Sequence, residues 1–313
     1  MIETQIAFEQ RSDAAAAALL ESQLETIADN FEAALDGRDP EALHDLRVAV
    51  RRSRTIQREC KGVFPPEQLA HIRAEFRWLQ RATGPARDLD VYVCGFDELR
   101  ALVPIGARDD LEPLLELLSE RRQRARLEMK RALRSERATT LLSDWQALLE
   151  DLEALSEGDR ADAHRPVGEL SGVRIRKLYR RMVRMGRHIG PESSPEDFHE
   201  LRKQGKELRY MLELFGSPLY PEEVVRPMIK ALKSLQDMLG RHQDRHVQVA
   251  LLRELKTELA AREDGAAAGS AVSALIAVLR RDEKKARGEF GERFARFASP
   301  EERAVVKQTF SYR

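Results

Sequence analysis

Residues 44 to 58 hold His44, Arg47, Arg51, Arg54 and Arg58 at steps of three and four. One chemistry suits such a row. Guanidinium groups donate paired hydrogen bonds to phosphoryl or carboxylate oxygens, and a neutral imidazole adds a further donor. The row follows Asp39-Pro40, an N-cap residue and a proline at the first helical position, so a helix is predicted from there. At about 100° per residue, with His44 as zero, the five groups fall between about 280° and 360°. Leu43, Leu46, Ala49, Val50, Ile56 and Cys60 fall between about 120° and 260°, an ordinary core-facing arc. The cations therefore run for about 21 Å beside the buried face. Like charges at i,i+4 cost a helix roughly 0.2–0.5 kcal/mol per pair. Glu41, Asp45 and Glu59 fall near about 60° to 100°, off the row, so the expected partner is an anion from outside.

A second copy of the row stands 155 residues later, as His199, Arg202, Lys206 and Arg209 after Ser194-Pro-Glu. Its apolar arc is Phe198, Leu201, Leu208, Met211, Leu212 and Phe215, with Gly205 on the same arc and read as a point of close helix packing. A repeat kept only for packing would preserve the apolar arc alone; here the charges are preserved too. The copy weakens at its end, where Glu213 stands at the counterpart of Arg58. A second matched pair runs from Gln80 to Val91 and from Gln236 to Val247, at an offset of 156. Gly84 and Gly240 in this pair are predicted as residues just past a helix end, and Asp88 and Asp244 as the start of the next helix. Two agreeing offsets of half the chain predict an internal duplication.

The His-x-x-Arg-Val-Ala-x-Arg-Arg-x-Arg run at His44 to Arg54 and the Gly-x-x-Arg-Asp-x-Asp-Val run at Gly84 to Val91, with their second copies, resemble the CHAD domain, the conserved histidine α-helical domain. The resemblance covers residues from about 12 to 297. It implies two pseudo-symmetric four-helix bundles whose basic helices line a central groove or pore. It also implies inorganic polyphosphate as ligand and no catalytic activity.

Rival chemistries start from the same residues. Glu41-x-x-His44 and Glu196-x-x-His199 have the spacing of di-iron carboxylate ligands. Each pair sits in a first helical turn beside cations that repel a metal, so Glu41 and Glu196 read as dipole-complementing acids and no metal is expected. Asp88-x-Asp90 has the type of group that holds Mg²⁺ beside a phosphate, and reads more simply as helix-start acids with Arg87 and Arg81 as partners. This keeps an alternative open: a phosphate- or nucleotide-metabolism enzyme, or its accessory protein, with a metal-assisted phosphate site. No Gly-rich phosphate loop, Walker lysine or nucleophile set supports it, and no cofactor is expected. A third reading is a scaffold whose charged helices pair with a protein. Protonation of His44 and His199 predicts tighter anion binding as pH falls from about 8 to 6.

Composition narrows the partners. Lys plus Arg number 53 and Asp plus Glu 53, so any anion site comes from local segregation of charge. Aromatics are 6% and nearly absent from the basic runs, which argues against the base stacking of RNA and single-strand readers. No apolar run approaches the roughly 18 residues of a membrane span. Cys60 and Cys94 are too few for a disulfide framework, and no basic region followed by an apolar run opens the chain. The expected location is the cytoplasm, with polyphosphate granules as the place such a ligand would put the protein.

Periodicity without alternation predicts an all-α fold, and the resemblance implies that it forms two pseudo-symmetric four-helix-type bundles. The first lobe is residues 1–156, a linker spans 157–168, and the second lobe is 169–313. Helices are expected over Ser12 to Leu35 with Gly37 ending the first, then the organising helix, Glu67 to Thr83, Asp88 to Leu102, Leu111 to Arg134, Thr139 to Leu155, Glu169 to His188 and Ala271 to Phe297. Loops are expected at 186–195 and 264–269, a kink or late helix start at Pro227, and a short helix or disorder after Ser299. The helix from Glu169 carries Lys177, Arg181 and Arg184 with no acid between Ser171 and Gly190. With Arg77 and its counterpart Lys233, these are expected as second contributors to the phosphate site. Replacing Arg47 and Arg51 together by Gln is expected to abolish polyanion binding and leave folding intact.

Overall fold

The computed structural model describes residues 5–37, 39–190, 192–262 and 265–311. Among these the only strand-like pairing is one isolated bridge between Arg11 and Pro166. The helices are α1 Ser12–Asp36, α2 Pro40–Glu59, α3 Pro66–Ala82, α4 Gly84–Cys94, α5 Phe96–Arg100, α6 Glu112–Leu133, α7 Glu136–Asp151, α8 Val167–Arg187, α9 Pro195–Met211, α10 Ser217–Leu219, α11 Glu222–Leu259, α12 Gly265–Gly288, α13 Phe290–Phe297 and α14 Pro300–Thr309. A π turn at Leu212–Gly216 joins α9 to α10.

Local chemistry sets the boundaries that matter. Gly37 ends α1 at φ 72, the left-handed conformation that glycine adopts without steric cost. The Asp39 carboxylate accepts from the Glu41 N–H at 2.8 Å and Pro40 opens α2. Ser194 and Asp197 form a reciprocal capping box at the head of α9. Both helices carrying the cation rows therefore start where their caps dictate, and the rows begin in the second turn.

Several expected boundaries move. The helix expected over Asp88 to Leu102 is two pieces, α4 and α5, with Gly84 at the first position of α4 and Gly240 deep inside α11. Neither glycine has a positive φ, so neither ends a helix, and Asp88 and Asp244 lie within helices. The 38-residue α11 runs through Pro227 unbroken. The missing N–H removes one bond near the helix start, while Val225, Met228 and Leu232 are buried around it and hold the turn. Residues 265–269, expected as loop, open α12; Asp264, and Pro191 in the other expected loop, lie outside the described residues. The stretch after Ser299 is the capped helix α14, closed by the buried Phe310 against Tyr220 at 4.6 Å.

Residues 157–168 have linker composition yet are tied down on both sides. Asp162 N–H donates to Gly62 O at 2.9 Å, Ser12 and Asp13 donate backbone N–H groups to Arg165 O and Ala163 O, and Val167 opens α8 inside the stretch. The buried Arg160 donates to the buried Asp13 carboxylate at 2.8 Å and to Val63 O at 2.9 Å. The hydrophobic core also crosses the middle of the chain. Its smaller cluster interleaves Phe96, Leu99, Leu111, Leu114 and Leu117 with Val249, Leu252, Leu255, Leu275 and Leu279. In the larger cluster α2 packs on α1 and α3, and α9 packs on α8 and α11, with α2 and α9 in contact.

Candidate functional site

The apolar arcs of α2 and α9 bury into the core, which forces the flanking cation rows to the seam where the two helices cross. Side chains pair antiparallel across that seam. Arg51 Nε donates to the Tyr210 hydroxyl at 3.4 Å, Arg52 Nη2 lies 3.4 Å from Glu213 Oε2, and Arg58 Nη2 lies 3.0 Å from Glu207 Oε1. Tyr210 is buried, with the Arg209 and Arg52 guanidiniums 5.4 Å and 6.0 Å from its ring centre. Tyr210 was not legible as a site residue, because its position in the first row is occupied by Thr55.

Arg51 and Lys206, counterparts at the 155-residue offset, come within electrostatic reach of each other at the middle of the seam. Lys206 is half-buried and, among the described residues, has no hydrogen bond or ion pair. Burial, then Arg202, Arg51 and Arg209, push its ammonium down to about 7, against a lesser pull from Asp244. Arg202 lies 3.4 Å from Asp244. Its counterpart Arg47 is 9% exposed and donates from Nη1 to both Gln80 O and Thr83 Oγ1 at 2.8 Å. Burial holds Arg47 down at about 10, still charged at neutral pH. Arg47 therefore ties α2 to the end of α3, which overturns its use as a silent variant: Arg47→Gln removes a buried structural donor.

The matched glycines mark where these two arginines lie. A methyl at Gly84 would sit 3.7 Å from Arg47 Nη1 and one at Gly240 3.9 Å from Arg202 Nε, ordinary contact in each case. No clash demands glycine there. Gly205 packs as expected, its missing methyl 3.1 Å from Met182 Cε.

The histidines differ from each other. His44 Nδ1 lies 3.1 Å from Arg87 Nη2, so the ring accepts there and presents Nε2 as the donor. Burial and then Arg87 hold the His44 imidazole below its ordinary value, which moves its protonation to lower pH than the sequence led us to expect. Arg87 also lies 3.6 Å from Glu41, so it stands between the members of the Glu-x-x-His pair. At His199 the Nδ1 atom is buried without a hydrogen-bond partner among the described residues, as is Oε1 of Gln243, the counterpart of Arg87.

Arg54 donates to Gln80 Oε1 and faces Arg58, Arg77, Arg73 and Arg81; burial and these four cations lower its guanidinium. Arg58, expected as a free member of the row, is held by Glu59 at 3.0 Å and by Glu207. Glu59 is adjacent in sequence, and the angular bookkeeping had placed it out of reach. Arg209 lies 3.6 Å from Glu213, one turn on. Arg181 is near Glu207, whose carboxyl is raised by burial. Lys177 and Arg184 instead line a separate depression of about 530 Å³ with Val173, Arg176, Arg180 and Phe310. Lys233 is exposed on α11. The expected partners of Asp90 are replaced: it is fully buried and takes Arg122 at 2.6 Å and Arg126 at 2.8 Å from α6. Gln80, Arg73, Arg81 and Arg87 belong beside the site although they were not singled out for it. The i,i+4 spacing of Arg73, Arg77 and Arg81 was the available signal.

Residues 18–253 of this all-helical chain match the model of the CHAD domain family. The chain belongs to the CHAD domain family. It is similar, at 26% identity and a TM-score of 0.71, to the crystal structure of the CHAD domain from the plant Ricinus communis, with 99% of this chain and 96% of that one covered. It shares its fold with PptA from Streptomyces chartreusis, at 16% identity and a TM-score of 0.68 over 91% of this chain and 99% of that one. Uncharacterized proteins MT2285 and Rv2226, from two strains of Mycobacterium tuberculosis, are each 29% identical over 209 residues, 65% of this chain. The chain spans 38% of the length of these two curated relatives. No helix among the described residues is long and apolar enough to cross a membrane.

Proposed function

We propose that this chain binds inorganic polyphosphate, without turning it over, along the cations that α2 and α9 bring to their seam. The observation that carries the reading is Lys206: an ammonium half-buried among Arg51, Arg202 and Arg209 with no partner of its own. Holding like charges together costs energy, and a polyanion would offset it at each of them in turn. Family membership supports the ligand class, and the scarcity of aromatics beside the rows favours a polyanion without bases. The acids at the seam are already matched: Glu213 and Glu207 lie against Arg52 and Arg58, Asp244 against Arg202, and Asp88 beside Arg47. That set binds and positions phosphate oxygens.

The test is affinity for polyphosphates of defined length at two salt concentrations. Affinity rises with length until the seam is filled and falls linearly in log–log form with salt, as counterion release requires. Equal affinity for three-unit and long chains would overturn the extended seam, and no affinity for either would overturn the ligand. Arg51→Gln with Lys206→Gln lowers affinity at least tenfold, since each removes a charge-assisted contact of roughly 1.5–3 kcal/mol. Phosphate release from polyphosphate with a divalent metal present is the companion assay. The expected result is none, and sustained release would make the protein an enzyme.

A further inference from the structure

The two halves of the seam are electrically unequal. Beside α2 stand Arg54, Arg58, Arg73, Arg77 and Arg81; their counterparts beside α9 are Arg209, Glu213, Ile229, Lys233 and Asp237. Five cations face a set with two cations and two acids. Among the described residues Arg73, Arg77 and Arg81 have no hydrogen bond or ion pair, and Arg54 has only the neutral Gln80 amide. With Gln57, the side chains of Arg54, Arg58, Arg73 and Arg77 enclose a cavity of about 30 Å³. That is room for about one water-sized group, not for a chain passing through. At the Arg58 edge of the cluster, Glu59 and Glu207 lie 3.0 Å from the guanidinium and present negative charge to anything continuing that way.

We propose that this arginine cluster between α2 and α3 captures the terminal phosphoryl group of a polyphosphate chain, an inference that rests on the polyphosphate reading above. An internal phosphoryl unit carries one negative charge and two non-bridging oxygens. A terminal unit carries a second ionisable proton and three such oxygens, like a phosphomonoester with its second pKa of about 6. Convergent guanidiniums suit the terminal unit, because each forks onto two oxygens and the extra charge is met by an extra cation. The small enclosure admits the outer oxygens of the last unit, and the two carboxylates stop the chain there. The rest of the chain then runs from Arg54 past Arg51 and Lys206 toward Arg47 and Arg202. Binding has a direction, set by the half of the molecule whose cations are unmatched.

The experiment compares linear polyphosphate of one length with free ends against the same length with both ends blocked as phosphoramidates, by competition against a fluorescent polyphosphate. For the unmodified protein, free-ended chains bind about tenfold or more tighter, the equivalent of one charge-assisted contact. In Arg73→Gln with Arg77→Gln, which line the cavity from α3, the free-to-blocked ratio falls to within about twofold. That double variant removes mutual repulsion and no structural hydrogen bond, so it folds. A ratio near one in the unmodified protein overturns end capture while leaving the seam reading standing, because both chains still bind. A ratio that persists in the double variant overturns the assignment to this cluster. Failure of both chains to bind is the separate failure of the polyphosphate reading.

Discussion

Lys206 and His44 exchange the roles that spacing alone assigns them. Histidine is the usual titrating group near neutral pH, yet His44 is half-buried with Arg87 on its Nδ1 and stays neutral to lower pH. Lys206, ordinarily charged until far above neutrality, is pushed down to about 7 by burial and by Arg202, Arg51 and Arg209, with Asp244 opposing. A polyanion at the seam favours the ammonium, so its binding takes up a proton above pH 7. Affinity therefore weakens as pH rises from about 7 toward the higher bound-state value, by up to tenfold per unit. Lys206→Met removes that dependence, whereas His44→Gln keeps it; titrations at pH 6, 7 and 8.5 distinguish them. The same depressed value has a stability consequence of definite sign. The unfolded chain binds the Lys206 proton up to about pH 10.4 and the folded chain does not, so stability attributable to this residue rises with pH across that window. Lys206→Met accordingly raises the denaturant midpoint most at pH 6 to 7 and least near pH 10.

The ion pairs across the seam belong to the scale of the helix pair. Exchanging each residue for its counterpart 155 positions away converts Arg52–Glu213 into Glu207–Arg58, the other pair observed. Glu213 thus has a reason to differ from Arg58. Were both arginine, Arg52 would face a cation across the seam. The first half gives both arginines and the second half both glutamates, and the helices hold each other through the two pairs. Glu213→Arg places like charge against Arg52 and beside Arg209, and is expected to cost about 1 kcal/mol, the upper end for partly exposed pairs. Arg52→Glu added to Glu213→Arg recovers most of it. A double-mutant cycle by urea unfolding measures the coupling, and additive effects would show the pair to be idle.

Over the whole molecule, the halves share more than the seam. Leu111, Leu114 and Leu117 from before the midpoint pack with Val249, Leu252 and Leu275 from after it. Arg160, in the stretch between the halves, is buried against Asp13 of α1. Neither half contains a complete core, so unfolding is expected as one cooperative transition, with calorimetric and van't Hoff enthalpies equal. Two resolved transitions, or a stably folded fragment 1–156, would contradict this.

Chain order was enough to set the helical class, the cap at Asp39, the buried arcs and the angular position of each cation on its own helix, because all of these follow from residue type and a period of 3.6. It was not enough to set what lies opposite. Arg58 finds Glu207, Arg47 finds Gln80 and Thr83, Asp90 finds Arg122 and Arg126, and Lys206 finds no partner, through contacts between residues 32 to 149 positions apart that no helical period encodes. Charge and burial are properties of neighbourhoods, and only packing assembles a neighbourhood. Hence the rows themselves were legible, while which of their members remain open to an anion was decided by the tertiary structure.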